Sequence, residues 1–229
     1  MELATARAVL AGRGWLCKTP NGFRESILAQ SHLLSFSAGE TIYAEGDPSD
    51  GLYGLVAGTL GVELSGPTRP PGFAYLTGKG FWIGAHTLVL GPGRQVGLVA
   101  LTSCHVLHLS GAAFHVIARR DPEAWRWLSV LPLMQNAVAF GVLEDLLIRD
   151  PKRRCAAILL RLAGCRGPFA GDVPEEVFVT QEVLAEMVNL SRTSLGDVLR
   201  AFEAQGFISR RYGRITIDND PLSALVSPP

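Results

Sequence analysis

The sequence predicts an α+β protein in which short antiparallel strands come first, a long helix follows, and a small helical domain with a hairpin ends the chain. Two changes of pattern along the 229 residues predict this order. Hydrophobic residues make up 48% of the chain and charged residues 18%, which is typical of a folded globular protein. The 21 basic residues balance the 21 acidic ones, which excludes a polycation that coats nucleic acid but not a local basic patch.

The first pattern covers residues 20 to about 110, where Gly and Pro are frequent and apolar runs are short. Turn signals separate the runs at 46–48, 65–67, 70–72 and 91–93. Short strands with frequent turns predict an antiparallel sandwich or barrel. The apolar runs are 52–56, 60–62, 73–76, 96–101 and 106–109.

The second pattern covers residues 112–148, where apolar residues recur at helical spacing. Asp121 and Pro122 divide this stretch into two helices, with Asp121 as the N-cap and Pro122 as the first residue of the second helix. The second helix could reach Ile148. Pro132 lies inside it and predicts a kink or a local break.

A further cap signal follows at Asp150 and Pro151, which predict a helix through Leu162. The stretch 164–174 then has the composition of a loop.

Two short helices joined by a tight turn come next. Thr180 can cap a helix over 181–188, and Ser191 can cap a second helix over about 192–204. Between them, Asn189 tolerates the positive φ that a tight turn requires. The pattern predicts a helix-turn-helix; the alternative is an ordinary helical hairpin with a solvated charged face.

The second of these helices would present its N-terminal half outward, and this half of a recognition helix reaches base edges in the major groove. Residues 207–217 predict two strands around a turn, which makes a winged variant whose arginines can neutralise phosphates. The residues predicted to contact DNA are Thr180, Gln181, Ser191, Arg192, Thr193, Ser194, Asp197, Arg200, Arg210, Arg211 and Arg214.

Nearly the whole chain resembles the CRP/FNR family of bacterial transcription regulators. The similar segments are 36–48 and 51–58 in the sensor strands, 80–100 in the effector cassette, 122–148 in the dimer helix and 179–200 in the DNA-binding helices. The resemblance implies a homodimer that binds a two-fold symmetric DNA operator. The parts that it implies are a cyclic-nucleotide-binding-like barrel (a double-stranded β-helix or jelly roll) at 1–120, a dimerisation helix at 121–149 and a winged helix-turn-helix at 150–229.

Family members pair through the long helix, and the apolar stripe of residues 125–147 suits that pairing. The alternative is a helix that packs on its own barrel. The residues predicted at the dimer interface are Leu131, Met134, Val138, Val142 and Leu146.

The effector cassette departs from the family pattern, which runs Gly-Glu, an apolar run, and then Arg with Ser or Thr. The matching residues keep the arginine but lack the carboxylate that would hold a ribose hydroxyl. A buried hydroxyl without that acceptor costs about 1–3 kcal/mol, so neither cAMP nor cGMP is expected. Arg94 would then bind another anion or pair with an acid. The predicted effector pocket consists of Gly84, Ala85, His86, Arg94 and Gln95.

No haem, iron–sulfur cluster or metal is expected. The four cysteines form no CxxC pair, they are expected to be reduced, and Cys17 alone cannot hold a cluster. His86, His105 and His108 could suggest a haem or metal site, but a strand histidine is more often structural.

The recognition helix departs from the family as well. Arg192 is kept, Thr193 stands in place of a Glu, and Asp197 stands in place of a second Arg. Arg192 can still contact a guanine with two hydrogen bonds. The rest of the DNA half-site should differ from the familiar one of the family.

Three functions stay open at this point: a regulator gated by a small effector in the barrel, a regulator with a degenerate sensor that needs no effector, and a barrel enzyme. The sequence lacks clustered metal ligands and a prominent Ser–His or Cys–His pair, so no enzymatic activity is expected. The expected partners are an operator in duplex DNA, a second copy of the chain and, for an activator, RNA polymerase. The N-terminus lacks a signal-peptide stretch and no window of about 18 uncharged apolar residues exists, which predicts a cytoplasmic protein without membrane contact.

Overall fold

The computed structural model describes residues 1–48, 50–66, 69–91, 93–167, 176–211 and 213–227. The chain forms two compact units, residues 1–71 with 76–136 and residues 72–75 with 137–229. The division falls inside the long helix, so the three domains expected at 1–120, 121–149 and 150–229 stay a prediction. Four predicted features lie outside the described residues, namely Pro67 and Pro92 of two turns, Tyr212 of the hairpin and positions 168–174 of the loop.

Eight strands form two four-stranded sheets in the arrangement of a jelly-roll-like sandwich, which confirms the predicted fold class. Each of the five apolar runs lies on a strand or overlaps one. The strands are β1 (His32–Phe36), β2 (Thr41–Tyr43), β3 (Gly51–Ala57), β4 (Leu60–Gly66), β5 (Arg69–Thr77), β6 (Trp82–Ile83), β7 (Gly97–Ala100) and β8 (Cys104–Ser110). One sheet has the order β1-β8-β3-β6 and the other β2-β7-β4-β5. The two sheets pair β3 with β8 and β4 with β7 in antiparallel register.

Two N-terminal helices and a short 3-10 turn cover one face of the β3–β8 sheet, and the sequence did not predict them. These elements are α1 (Leu3–Ala11), the 3-10 turn (Leu16–Lys18) and α2 (Asn21–Gln30). The side chains of Trp15, Phe23 and Ile27 share a buried core with Leu52 and Leu107 of that sheet. The region expected to contain short strands, residues 20 to about 110, therefore also contains helices at residues 21–30 and 85–90.

Three further helices belong to the middle of the chain: α3 (Ala85–Leu90), α4 (Gly111–Arg120) and α5 (Ala124–Leu146). The Asp121 carboxylate accepts the Glu123 backbone N–H at 3.1 Å, as expected for a cap, but α5 begins at Ala124 rather than at Pro122. Pro132 does not break the helix, because α5 is continuous through it. By length and composition alone α5 is also apolar enough to cross a membrane.

The second unit begins with α6, whose predicted bounds and cap are confirmed: the Asp150 carboxylate accepts the Lys152 backbone N–H at 2.8 Å. The helix-turn-helix and the hairpin are confirmed as well, whereas β9 and α9 were not predicted. The elements are α6 (Pro151–Leu162), β9 (Glu176–Phe178), α7 (Gln181–Val188), α8 (Arg192–Ala204), β10 (Ile208–Arg211), β11 (Arg214–Ile217) and α9 (Asn219–Val226). The three strands form one sheet in the order β10-β11-β9.

Candidate nucleic-acid interface

The turn between α7 and α8 is held in a single geometry. Asn189 adopts φ 54° and ψ 54°, and it is the only residue other than glycine with a positive φ in the part of the chain that the structure describes. The Leu190 backbone N–H then donates to the Ala185 carbonyl at 2.9 Å. Ser191 starts α8, and its hydroxyl accepts the Ser194 backbone N–H at 3.1 Å. These bonds fix the angle at which α8 leaves the turn.

One face of α8 is fixed in the core, and the opposite face is open. Leu195, Leu199 and Phe202 are buried and anchor the helix against its own domain. A helix anchored in this way presents its polar residues at a defined position, as docking into a groove requires. The exposed predicted residues are Ser191, Arg192, Thr193, Ser194, Asp197 and Arg200 on α8, with Thr180 and Gln181 at the start of α7.

The charges on this open face are held by weak contacts. The Arg192 side chain is 71% exposed, and its Nη1 lies 3.6 Å from Glu182 Oε1. Asp197 and Arg200 form an exposed ion pair within α8. Because exposed pairs of this kind contribute little free energy, the arginines can be released to a phosphate or a base at small cost.

The wing carries three arginines in different settings. Arg210 donates to Glu203 at 2.6 Å, and this hydrogen bond holds the pKa of the Glu203 carboxyl below its ordinary value. Arg214 lies over the Phe178 ring at 4.7 Å from the ring centroid. Arg211 is exposed. Arg211 is therefore best placed for a phosphate contact, whereas Arg210 is the most firmly held of the three.

Of the predicted effector residues, Gly84 lies against the Arg94 guanidinium, Ala85 is buried, His86 is partly buried, and Gln95 is exposed. Arg94 is buried, forms an ion pair with Asp50 and donates from Nη2 to the Gly51 carbonyl at 3.1 Å. Its guanidinium lies over the Tyr43 ring, 4.2 Å from the centroid. Pairing with an acid, one of the two roles left open for this arginine, is the one found in the structure.

The glycine of the cassette has a clear steric reason. Gly84 adopts φ 114°, and a Cβ there would collide with the Gly51 carbonyl and approach Arg94 Nη1 to 2.9 Å. Ala85 follows at the first position of α3 and is completely buried. The backbone is therefore packed tightly around the guanidinium on this side.

The sequence did not suggest Asp50 as a member of this cluster. Asp50 lies 44 positions before Arg94 in the chain, and only the fold brings the two side chains together. Tyr53 donates its hydroxyl to the Asp50 carboxylate at 2.5 Å, and His108 Nε2 lies 3.6 Å from the same group. Burial alone would raise the pKa of Asp50, but the Tyr53 hydrogen bond and the charges of His108 and Arg94 lower it below its ordinary value. Burial and the hydrogen bond to Asp50 in turn raise the pKa of Tyr53.

The remaining candidate ligands are dispersed. Among the described residues, no three His, Cys, Asp or Glu side chains are grouped so that they could hold a metal ion. His105 Nδ1 contacts the Ser35 hydroxyl at 3.0 Å, and His108 Nε2 contacts the Asp50 carbonyl at 3.1 Å. None of the four cysteines forms a disulfide bond, and burial raises the pKa of Cys155 to about 12.

The predicted dimer stripe faces its own chain more than expected. Leu131 is 2% exposed and belongs to the core of the first unit, with Met134 packed against it. Val138 and Val142 are half-buried, and Leu146 is 39% exposed. Packing on its own barrel, the alternative for this helix, therefore accounts for Leu131.

A different face of α5 is both apolar and open. Phe140 is 70% exposed, Leu143 53% and Leu147, directly after the helix, 73%. Successive helical residues are rotated by about 100°, so these three share one side, and Val138 and Val142, two positions from Phe140, point almost the opposite way. The spacing of three and then four residues is that of a helix seam and was present in the sequence.

A sensor-type sandwich, a long apolar helix and a winged helix-turn-helix with an exposed recognition helix define a class of DNA-binding regulators. Two family models match this chain in the same places: the Crp-like helix-turn-helix domain at residues 153–221 and the cyclic nucleotide-binding domain at residues 33–121. The chain belongs to the CRP/FNR family of transcription regulators, as the sequence motifs indicated.

Curated relatives and solved structures agree with this assignment. The cAMP-activated global transcriptional regulator CRP of Escherichia coli O157:H7 is 25% identical over 196 residues, which cover 84% of this chain and 92% of that protein. The CRP-like cAMP-activated global transcriptional regulator of Mycobacterium tuberculosis H37Rv is 25% identical over 197 residues, 85% of this chain and 87% of that protein. A CRP/FNR family transcriptional regulator from Thermus thermophilus superposes with a TM-score of 0.65 at 26% identity, covering 85% of this chain and 98% of the other.

Proposed function

We propose that this protein regulates transcription as a cytoplasmic homodimer that reads a two-fold symmetric operator, with one α8 from each chain in a major groove. The observation that carries the proposal is the open N-terminal half of α8, anchored from behind by Leu195, Leu199 and Phe202. Arg192 would contact a base edge, Thr193, Ser194 and Asp197 would complete the readout, and the wing would bind the backbone.

Pairing of two chains is supported by the open apolar face of α5. A side-by-side pair of helices would cover Phe140, Leu143 and Leu147 from both copies at once, as a two-fold axis requires. We therefore place the seam on these residues rather than on the stripe from Leu131 to Leu146. The other occupant that an apolar helix of this length admits is a membrane. Recovery of a dimer from the supernatant without detergent would exclude the membrane.

Selection of bound DNA from a random duplex pool tests the proposal. A palindromic consensus with half-sites about one helical turn apart is expected, since two symmetric recognition helices bind at that spacing. A chain that enriches no sequence, or only an asymmetric one, would contradict it.

The variant Arg192→Ala tests the contact itself. We expect its affinity for the selected operator to fall by about 30-fold or more, because both chains of the dimer lose a base contact worth about 1–3 kcal/mol, while its affinity for random DNA changes little. The matched control is Arg126→Ala, which removes an equally exposed arginine near the start of α5, away from the recognition helix. Equal losses on operator and random DNA would show that Arg192 does not read sequence.

A second candidate is a regulator that works without a small effector, and the Arg94–Asp50 pair favours it. The curated relatives are named as cAMP-activated, whereas here Asp50 already neutralises the arginine that a nucleotide phosphate would need, and Ala85 offers no acceptor for a ribose hydroxyl. We expect the melting temperature to be unchanged by cAMP and cGMP. A shift with either nucleotide would rule out this candidate, and a shift with another metabolite from a broad panel would support gating by that ligand.

A further inference from the structure

Of the carboxylates that the structure describes, Asp145 alone is fully buried. It lies in the last turn of α5, on the side of the helix that points away from Phe140 and Leu143. A buried carboxylate is stable only when charged partners satisfy its oxygens, so its surroundings should be specific.

Two arginines from beyond α5 satisfy Asp145, one for each carboxylate oxygen. Arg161 Nε, in the last turn of α6, lies 2.5 Å from Oδ2, and Arg166 Nε, in the segment that follows α6, lies 2.9 Å from Oδ1. Arg161 also donates from Nη2 to the Gly141 carbonyl at 2.8 Å. Since Gly141 lies four residues before Asp145, the guanidinium of Arg161 is bonded to two successive turns of α5.

Gly141 leaves the space that the Arg161 guanidinium occupies. A Cβ at this position would collide with the Arg161 guanidinium, and a Cβ at Gly167 would approach Arg161 Nη1 to 2.7 Å. Glycine inside a helix costs about 0.5–1 kcal/mol relative to alanine. Helix α5 therefore has a residue of low helix propensity at the position where Arg161 lies directly against its backbone.

The cluster joins the end of the dimer helix to the DNA-binding helices. Helix α6 packs against α7, α8 and α9, so whatever fixes α6 on α5 also fixes the direction of α8. Phe140 and Leu143 lie on the same stretch of α5 as Asp145, all within the second unit. We infer that Asp145 is a positioning residue which, through Arg161 and Arg166, sets the separation of the two recognition helices in the dimer, and this inference rests on the proposed function.

The double variant Asp145→Leu with Arg161→Met tests it, because replacing a buried pair by apolar residues of similar size often preserves the fold. Binding is measured on the selected operator and on copies with one base pair added to or removed from the spacer, which moves a half-site by about 3.4 Å and turns it by about 34°. We expect the wild type to lose about 10-fold or more on such copies, the order of one mismatched base pair, and the double variant to lose less than about 3-fold. Glu144→Gln, which changes the exposed carboxylate next to Asp145, should behave as the wild type.

The controls separate positioning from folding and from the proposed function. The double variant should keep its dimer mass and its affinity for a single half-site. If the double variant preferred one spacing as strongly as the wild type does, the inference would be overturned. If the double variant does not fold, Arg166→Met, which removes only the more exposed partner, should show an intermediate spacing preference, and the full wild-type preference would overturn the inference. A wild-type chain that selects no symmetric operator would instead overturn the proposed function, and the inference with it.

Discussion

Replacing Phe140 by alanine should weaken the dimer, and the structure sets the size of the effect. The side chain is 70% exposed in the single chain, and complete burial of a Phe side chain is worth about 1.5–3 kcal/mol. Covering the open part therefore contributes about 1–2 kcal/mol per chain, or about 2–4 kcal/mol for two symmetric copies. Since each 1.4 kcal/mol is tenfold, the dimer Kd should rise by about 30- to 700-fold.

Sedimentation equilibrium over a wide range of chain concentrations measures this Kd directly. Alanine keeps the helix intact, so a loss of helical signal is not expected. The matched control is Leu90→Ala, which removes an apolar side chain that is 72% exposed at the end of α3. Operator affinity of Phe140→Ala should fall at low chain concentration and recover at high concentration, because only dimerisation is impaired.

A dimer Kd that changes less than twofold in Phe140→Ala would refute the placement of the seam. If charge at Val138 then separated the dimer while Phe140→Ala did not, the stripe predicted from the sequence would be restored.

Three further predictions concern the cap, the sensor and the thiols. Ser191→Ala removes the acceptor of the Ser194 backbone N–H and should lower the free energy of unfolding by about 1 kcal/mol in urea denaturation, whereas Ser209→Ala, at an exposed strand position, should change it little. The pKa of Asp50 is lowered from 3.8 in the folded protein, so its contribution to stability is complete above that pH and is lost as the pH falls below it. The difference in unfolding free energy between the wild type and Asp50→Asn should therefore shrink on going from neutral to strongly acidic pH, and a difference that grows would contradict the assigned ion pair. The Cys155 thiol, with its pKa raised to about 12 by burial, should resist alkylation at mildly alkaline pH until the protein unfolds, and rapid labelling of native protein would show that α6 opens.

The parts that the sequence predicts well are those specified by neighbouring residues. Asp150 and Pro151 start α6, Thr180 and Ser191 cap α7 and α8, and Asn189 makes the turn, all through bonds that span two to five positions. A cap or a turn of this kind needs no distant partner, so its signal is complete in the local sequence.

The parts that it misses depend on distant partners. β9 has three residues and exists because it pairs with β11, and α2 follows Pro20 without a side-chain cap. Asp145 is an acidic residue in an apolar helix, and no neighbouring residue indicates that arginines 16 and 21 positions later form ion pairs with it. Such features follow from tertiary contacts, which override local propensity.

The seam predicted from the sequence differs from the one proposed from the structure for a related reason. Helix α5 is apolar on more than one side, so periodicity alone does not tell which side its own chain covers and which side stays open. Burial of Leu131 and exposure of Phe140 are the reasons for proposing the seam on the side of Phe140.

The N-terminal helices have a practical consequence for anyone who would trim this protein to its sensor strands. A shortened chain that starts at His32 would lose Trp15, Phe23 and Ile27, and with them the lid over Leu52 and Leu107. The uncovered sheet would present an apolar surface to water of the kind that drives aggregation, so the start of β1 is a poor place to cut. The smallest soluble piece of the sensor should begin before Leu3, where α1 starts.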